Sequence, residues 1–161
     1  MATIRHAGAG DASAIAALWN QVIRDTVITF DPTEKSEAEV AEAIATRPAF
    51  LLAEEDGRFA GFATFAQFRR GLGYARTMEH TILLAPHARG RGVGRALMEA
   101  LCDAARARGA HVLVAGVSGE NRGAVAFHLA RGFAITGRLP EVGWKHGRWH
   151  ELVLMQKTLA S

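Results

Sequence analysis

The sequence predicts an α/β protein built on a single mixed, mostly antiparallel sheet, with one parallel pair and helices on both faces. Two observations lead there. Dense or alternating apolar runs mark seven strands and apolar stripes at helical spacing mark four helices, in the order βααβββαβαββ. Neighbouring strands suit hairpins, but the strand–helix–strand passages of the second half require a parallel pair. No repeat, low-complexity stretch or linker divides the chain, so residues 1–161 are expected to form one domain.

Thr3–His6 is a short first strand, and Asp11 can cap the helix that follows. Ile15, Leu18, Trp19, Val22 and Ile23 share one face of that helix, which breaks over Thr26–Pro32. Ser36 with Glu39 three residues on is a capping box for a second helix ending near Arg47. Phe50–Glu55 and Arg58–Phe68 flank Asp56-Gly57, a tight hairpin turn. The glycines of Arg69–Tyr74 mark a loop, and the strand Thr77–Leu84 stops before Pro86. A third helix runs from about Gly92 to Arg108, with Val93, Leu97, Leu101 and Ala104 as its apolar stripe and Gly109 as its stop. Then come the strand His111–Val117, a short helix Asn121–Arg131 broken by Gly132, and two strands, Phe133–Leu139 and Glu151–Thr158.

Composition narrows the function. With 49% hydrophobic and 22% charged residues, the chain can form a buried core without a disulfide or a metal. A single cysteine, Cys102, excludes a disulfide framework and a cysteine-based zinc site. No apolar run reaches the ~18 residues of a membrane span, and Met1–Asp11 carries no signal-peptide core, so no membrane partner and a cytoplasmic location are expected. The net charge of +3 is a small excess, and the arginines are spread along the chain. A small polyanion site explains that balance as well as nucleic acid would, and nucleic acid is not expected as a partner.

The most informative segment is His87–Leu97, H-A-R-G-R-G-V-G-R-A-L, lying between a strand and a helix. Its glycines let backbone approach a ligand, and a helix mouth offers unpaired N–H groups and a positive dipole end. Arg89, Arg91 and Arg95 add charge, so Gly90, Arg91, Gly92, Val93, Gly94 and Arg95 form an anion site. A nucleotide-binding Walker loop would need a lysine after the last glycine, and the G-x-G-x-G spacing fails the dinucleotide fingerprint.

The segment resembles the acetyl-CoA signature [Q/R]-x-x-G-x-[G/A] of the GCN5-related N-acetyltransferases through Arg89, Gly92 and Gly94. Downstream, Asn121, Ala124, His128 and Gly132-Phe133 are similar to the same superfamily's pattern. Within it, T-M-E-H-T-I-L-L (Thr77–Leu84), A-F-H-L-A-R-G-F (Ala126–Phe133) and V-G-W-K-H-G-R-W-H (Val142–His150) resemble the phosphinothricin and methionine sulfoximine acetyltransferase group. The resemblance implies the acyl-CoA N-acyltransferase fold, in which the parallel pair is splayed. It also implies transfer of acetyl from acetyl-CoA, with no metal, to the amine of a small amino-acid-like molecule.

That chemistry has three requirements, which are to hold the coenzyme, to deprotonate the amine and to stabilise the developing charges. The turn holds the pyrophosphate, and Ile82, Leu83 and Leu84 pair backbone groups with the pantetheine arm as an added strand would. Asn121 opens the next helix, either as its cap or as a hydrogen-bond partner of the arm. A mostly protonated acceptor amine needs a base, and Glu79, an acid inside an apolar strand, is the candidate. His128 is either the acid that protonates the departing sulfur or a group holding the base network in place. The N–H of Leu84, or of its neighbour in the splayed strand, is the expected oxyanion donor. For the acceptor, the resemblance points to Arg69 as an anion contact, with Ala75 standing where relatives often have a second arginine and Arg76 one place on. Leu72, Gly73 and Tyr74 are expected to line the pocket, and Phe30 to form its apolar wall. Trp144, Lys145, His146 and Trp149 are expected between the last two strands, where relatives complete the site near a dimer contact, so a homodimer is expected. The rival readings are the same fold acting on a peptide or protein amine, and a CoA-binding module without catalysis.

Overall fold

The computed structural model describes residues 1–159, and it follows the expected element order. The strands are β1 (Ala2–His6), β2 (Ala49–Glu55), β3 (Arg58–Gln67), β4 (Thr77–Leu84), β5 (Val112–Ser118), β6 (Ala134–Lys145) and β7 (Arg148–Thr158). The helices are α1 (Ala12–Asp25), α2 (Glu37–Thr46), α3 (Val93–Ala107) and α4 (Arg122–Ala130). The strands form one sheet in the order β1-β2-β3-β4-β5-β7-β6, antiparallel except for β4 with β5.

That parallel pair is short. Thr77–His80 pair with Val112–Ala115, after which β4 continues beside β3 and β5 beside β7. The sheet therefore forks at His80 and Ala115. Each face carries its own core. On one, Val93, Leu97 and Leu101 of α3 pack with Phe65, Leu113 and Met155. On the other, Ile15, Trp19 and Ile23 of α1 pack with Phe50, Leu52 and Phe62. These are the two helical stripes read from spacing, with one shift: the position after Leu101 in the α3 stripe is Ala105, fully buried, and Ala104 sits at the stripe's edge.

Local signals mostly hold. Asp56 and Gly57 both have positive φ, as a two-residue turn between twisted strands requires. Ser36 and Glu39 exchange both capping-box bonds, each at 3.1 Å. Asp11 does not cap α1; its carboxylate accepts from Gly8 N–H at 2.7 Å and pairs with Arg5, because a preceding 3₁₀ turn takes the chain into the helix.

The last hairpin differs most. Instead of ending at Leu139, β6 runs on past Pro140 to Lys145, and β7 starts at Arg148. Two register shifts, between Ile135/Gly137 and between Leu139/Gly143, absorb the irregular residues. An edge strand tolerates proline and bulges that an interior strand would not. His146-Gly147, both at positive φ, is a tight turn, so Trp144 and Lys145 lie on β6 and Trp149 on β7.

Candidate active site

The fork is built from β4. Met78, Ile82 and Leu84 pack toward α3 and Leu83 toward α1, so alternation puts Glu79 and Thr81 on the α1 side and His80 on the α3 side. Backbone directions follow the same logic. Phe68 N–H donates to Thr77 O at 3.0 Å and Ala85 N–H to Ala60 O at 2.8 Å, which turns the odd-numbered residues of β4 toward β3. The N–H and C=O groups of Ile82 and Leu84 therefore face the fork, where β5 no longer meets them. Those of Leu83 face β3, so Leu83 can offer the fork only its side chain.

A cavity of about 490 Å³ occupies the fork. Glu79, His80, Asn121 and His128 line it, as does Phe30. The Glu79 carboxylate leans across β5: a Cβ added at Gly116 would lie 3.1 Å from Oε2. Gly116 interrupts an apolar strand to make room for the acid, a signal present in V-L-V-A-G-V-S but unread. Glu79 reaches water through the cavity, yet protein surrounds enough of it that burial raises its carboxyl above the ordinary carboxylate range.

Across the fork, His80 and His128 are bonded ring to ring, Nε2 to Nε2 at 3.0 Å. His128 Nδ1 lies 2.7 Å from Ala124 O, an acceptor, so that nitrogen carries the proton. The bare Nε2 of His128 then accepts from His80 Nε2–H. His80 Nδ1 is left as a buried acceptor with no partner among the described residues. Burial holds both rings neutral, pushing His80 down to about 3 and lowering His128. Both ring nitrogens of His128 are thus engaged within the protein, which is the geometry of a group held in place rather than of a free acid.

The pair predicts a pH dependence of stability. Histidines free in the unfolded chain take up protons near pH 6.5, whereas folded His80 stays neutral down to about 3. Stability is therefore complete above about pH 6.5 and falls as pH drops below it, by up to about 1.4 kcal/mol per pH unit per histidine. Urea midpoints between pH 7 and 5 should show this slope. His80→Gln should make it shallower, and an unchanged slope would contradict the neutral pair.

At the fork's outer end, β4 leads into the glycine turn. Gly90 and Gly92 have φ of 74° and 82°, and no protein atom lies within 4 Å of a Cβ built at either. Gly94 acts differently. A Cβ there would meet Phe127 at 3.1 Å and Leu84 at 3.3 Å, so its smallness seats α3 against α4 and the sheet. Ala96 N–H to Gly92 O, 3.1 Å, is the first bond of α3. The N–H groups of Val93, Gly94 and Arg95 precede it and have no acceptor within the helix. Val93 is fully buried and packs α3 onto the core. Arg91 pairs with Glu55 at 2.6 Å and Arg95 with Glu99 at 3.1 Å, while Arg89 makes no ion pair among the described residues.

The remaining expected residues divide. Phe30 stacks on His150, 5.5 Å between centroids and 18° between planes, and its ring lies against Gly143 where any Cβ would collide. Lys145 does not face the cavity. It is 4% exposed, burial lowers its pKa, and Nζ donates to Thr29 O at 2.7 Å, so it buttresses the Phe30 loop from behind. Glu120, Arg148 and His150 extend that support through bonds of 2.6–2.8 Å. Asn121 caps α4 by accepting from Ala124 N–H at 3.1 Å, which leaves its amide NH₂ for a ligand. Arg69, Leu72, Gly73 and Tyr74 are exposed and outside the cavity lining. Arg69 lies over Tyr74, 5.7 Å from the ring centroid, and Gln67, which does line the cavity, ties down the loop through Arg69 O and Gly71 O. Two cations of the lining, Lys35 and Arg47, escaped the sequence reading, because neither belongs to a motif.

A forked sheet, with a bare helix mouth at its open end and a carboxylate beside its closed end, defines an acyltransferase that takes its acyl group from a coenzyme A thioester. The chain belongs to the acetyltransferase (GNAT) family, whose model matches residues 16–133, and it is an acetyl-CoA-using N-acetyltransferase. It is 36% identical over 162 aligned residues to the L-amino acid N-acyltransferase MnaT of Escherichia coli, covering 98% of this chain and 94% of that one. An L-methionine sulfoximine/L-methionine sulfone acetyltransferase of Salmonella typhimurium is 35% identical with the same coverage. The crystal structure of a phosphinothricin acetyltransferase of Sinorhizobium meliloti in complex with acetyl-CoA superimposes with a TM-score of 0.93 at 33% identity, covering 99% of this chain and 89% of that one.

Proposed function

We propose that the protein acetylates the α-amine of a small amino-acid-like molecule of the methionine sulfone, methionine sulfoximine or phosphinothricin type. The observation that carries this reading is the Glu79 carboxylate, set beside the closed end of a fork whose open end is a bare helix mouth. The relatives' names support the acceptor class. A cavity of about 490 Å³ behind the Phe30 loop has the size of a small-molecule site. Tyr74 and Trp144 lie outside its lining, so Phe30 alone of the expected aromatic residues supplies its wall.

Acetyl-CoA supplies an activated acetyl thioester. The N–H groups from Gly90 to Arg95, with Arg89, hold the pyrophosphate, and the backbone of Leu84 with the C=O of Ile82 pairs with the pantetheine arm alongside the Asn121 amide. Glu79 takes a proton from the acceptor amine as the C–N bond forms and the C–S bond breaks. The fork-facing N–H of Ile82, nearer Glu79 on β4 than that of Leu84, steadies the developing oxyanion. Coenzyme A leaves with the C–S electron pair as its thiolate, which water protonates, beside the neutral His80–His128 pair that orders that wall. Arg69, beside Leu72, Gly73 and Tyr74, guards the mouth on the β3–β4 side, and Lys145 fixes Phe30.

A thiol-release assay with acetyl-CoA over amino acids, their sulfone, sulfoximine and phosphinate analogues, and short peptides tests the reading. Turnover should concentrate on the free amino acid analogues. Preference for peptides would replace it with the protein-amine reading, and coenzyme A binding without turnover would reduce the protein to a binding module.

We also propose a cytoplasmic homodimer. The outer face of the β6–β7 hairpin exposes Val142, Trp144 and Trp149 by 52–55%, an apolar surface at the β6 end of the sheet. Sedimentation should give a dimer, and Trp144→Ser with Trp149→Ser should give monomers. A monomeric wild type at assay concentration would rule the dimer out.

A further inference from the structure

The cavity has a second charged end that the catalytic reading does not use. Arg47 follows the last turn of α2 and lies two residues before the Ala49–Phe65 pair of β2 and β3. Ala66, next on β3, stands opposite Glu79. Arg47, in the bend between α2 and β2, and Glu79 both line the cavity, and the small Ala66 lies in the lining between their strands. Its guanidinium lies over Trp19, 5.6 Å from the ring centroid, and Lys35 Nζ lies over the same ring at 4.7 Å. All three side chains line the cavity.

Arg5, Arg24, Arg91, Arg95, Arg106, Arg138 and Arg148 are ion-paired, and of the arginines that are not, among the described residues, Arg47 alone lines the cavity. Arg47 is half-buried and makes no ion pair or side-chain hydrogen bond among the described residues. Burial alone acts on its guanidinium, lowering its affinity for the proton with no carboxylate to offset it. Asp31, the acid at this end, accepts from Thr33 N–H at 2.9 Å and makes no ion pair with Lys35 or Arg47. A desolvated cation facing a cavity, with its fork of donors unspent, is costly unless an anion completes it. Trp19 holds the guanidinium plane by stacking and leaves its edge free.

We infer that Arg47, assisted by Lys35 on the face of Trp19, is the subsite for the anionic end of the acceptor, its carboxylate or side-chain oxoacid. The inference rests on the proposed acceptor class and adds its anchor. The cavity then matches an amino acid end to end, with an acid for the amine at Glu79 and a cation for the acid at Arg47. Arg69 is exposed and outside the lining, and serves the mouth rather than this end.

The test compares methionine sulfone with its carboxamide, which keeps the amine and loses the charge. Wild type should prefer the acid in kcat/KM. Arg47→Met, which keeps a stem for packing on Trp19 and the backbone cap of α2, should lower that preference about tenfold through the KM of the acid. Arg47→Lys should restore part of it. A purely structural role would shift acid and amide alike, and that result would overturn the subsite. Calorimetric titration of the coenzyme A-loaded protein with both compounds separates the two readings. Arg47-dependent binding of the acid without turnover would sustain the subsite and sink the acetylation reading. Turnover of acid and amide with no Arg47-dependent preference would do the reverse. Binding of neither compound would overturn both.

Discussion

Replacing Glu79 by Gln should lower kcat by roughly 10²–10³-fold, within the range that a positioned general base contributes, while leaving the dissociation constant of coenzyme A as it was. The substitution keeps size and the approach to Gly116, so the fork should stay open. Its pH signature is sharper than its magnitude. The base works when deprotonated, so kcat/KM in the wild type should rise with pH through the Glu79 ionisation. Burial moves that ionisation upward from the ordinary value of 4.5. In the variant that limb should vanish, while the limb from the acceptor amine at higher pH stays. Full turnover in Glu79→Gln, or an unchanged acidic limb, would remove Glu79 from the chemistry.

The second large effect belongs to the turn. Gly92→Val should weaken coenzyme A by roughly 100-fold or more, the loss expected when two hydrogen bonds to a charged group are broken. The protein itself has room there, since nothing lies within 4 Å of the added Cβ. The obstacle is twofold: φ of 82° is hostile to a β-branched residue, and the added methyl groups occupy the space through which a pyrophosphate reaches the helix N–H groups. Gly94→Ala is the informative contrast. Its Cβ crowds Phe127 at 3.1 Å and Leu84 at 3.3 Å, so its penalty should fall on thermal stability. Calorimetry with coenzyme A and melting curves separate the two, and a Gly92→Val protein that binds coenzyme A normally would place the pyrophosphate elsewhere.

The two cations of the acceptor end show why part of the site stayed hidden. Lys35 comes from the break between the first two helices and Arg47 from the residue after α2, with no spacing that links them. They meet because α1 lays Trp19 over Phe50 and Phe62 and both chain segments pass over that ring. Arg69, by contrast, was visible beside Glu79 in sequence but folds into an exposed loop.

Whatever depends on neighbours along the chain is legible in the residues alone. The element order, the helical stripes, the capping box, the glycine turn that opens α3 and the side of β4 on which Glu79 stands all belong here, because periodicity and local hydrogen bonding decide them. Which distant groups share a cavity is set by how the strands and helices come together. The length of the β4–β5 pairing sets where the fork opens. Closure of the sheet brings His80 to His128, Gly116 to Glu79 and Phe30 to Gly143. These contacts depend on register and packing between strands far apart in the chain, which no local pattern encodes.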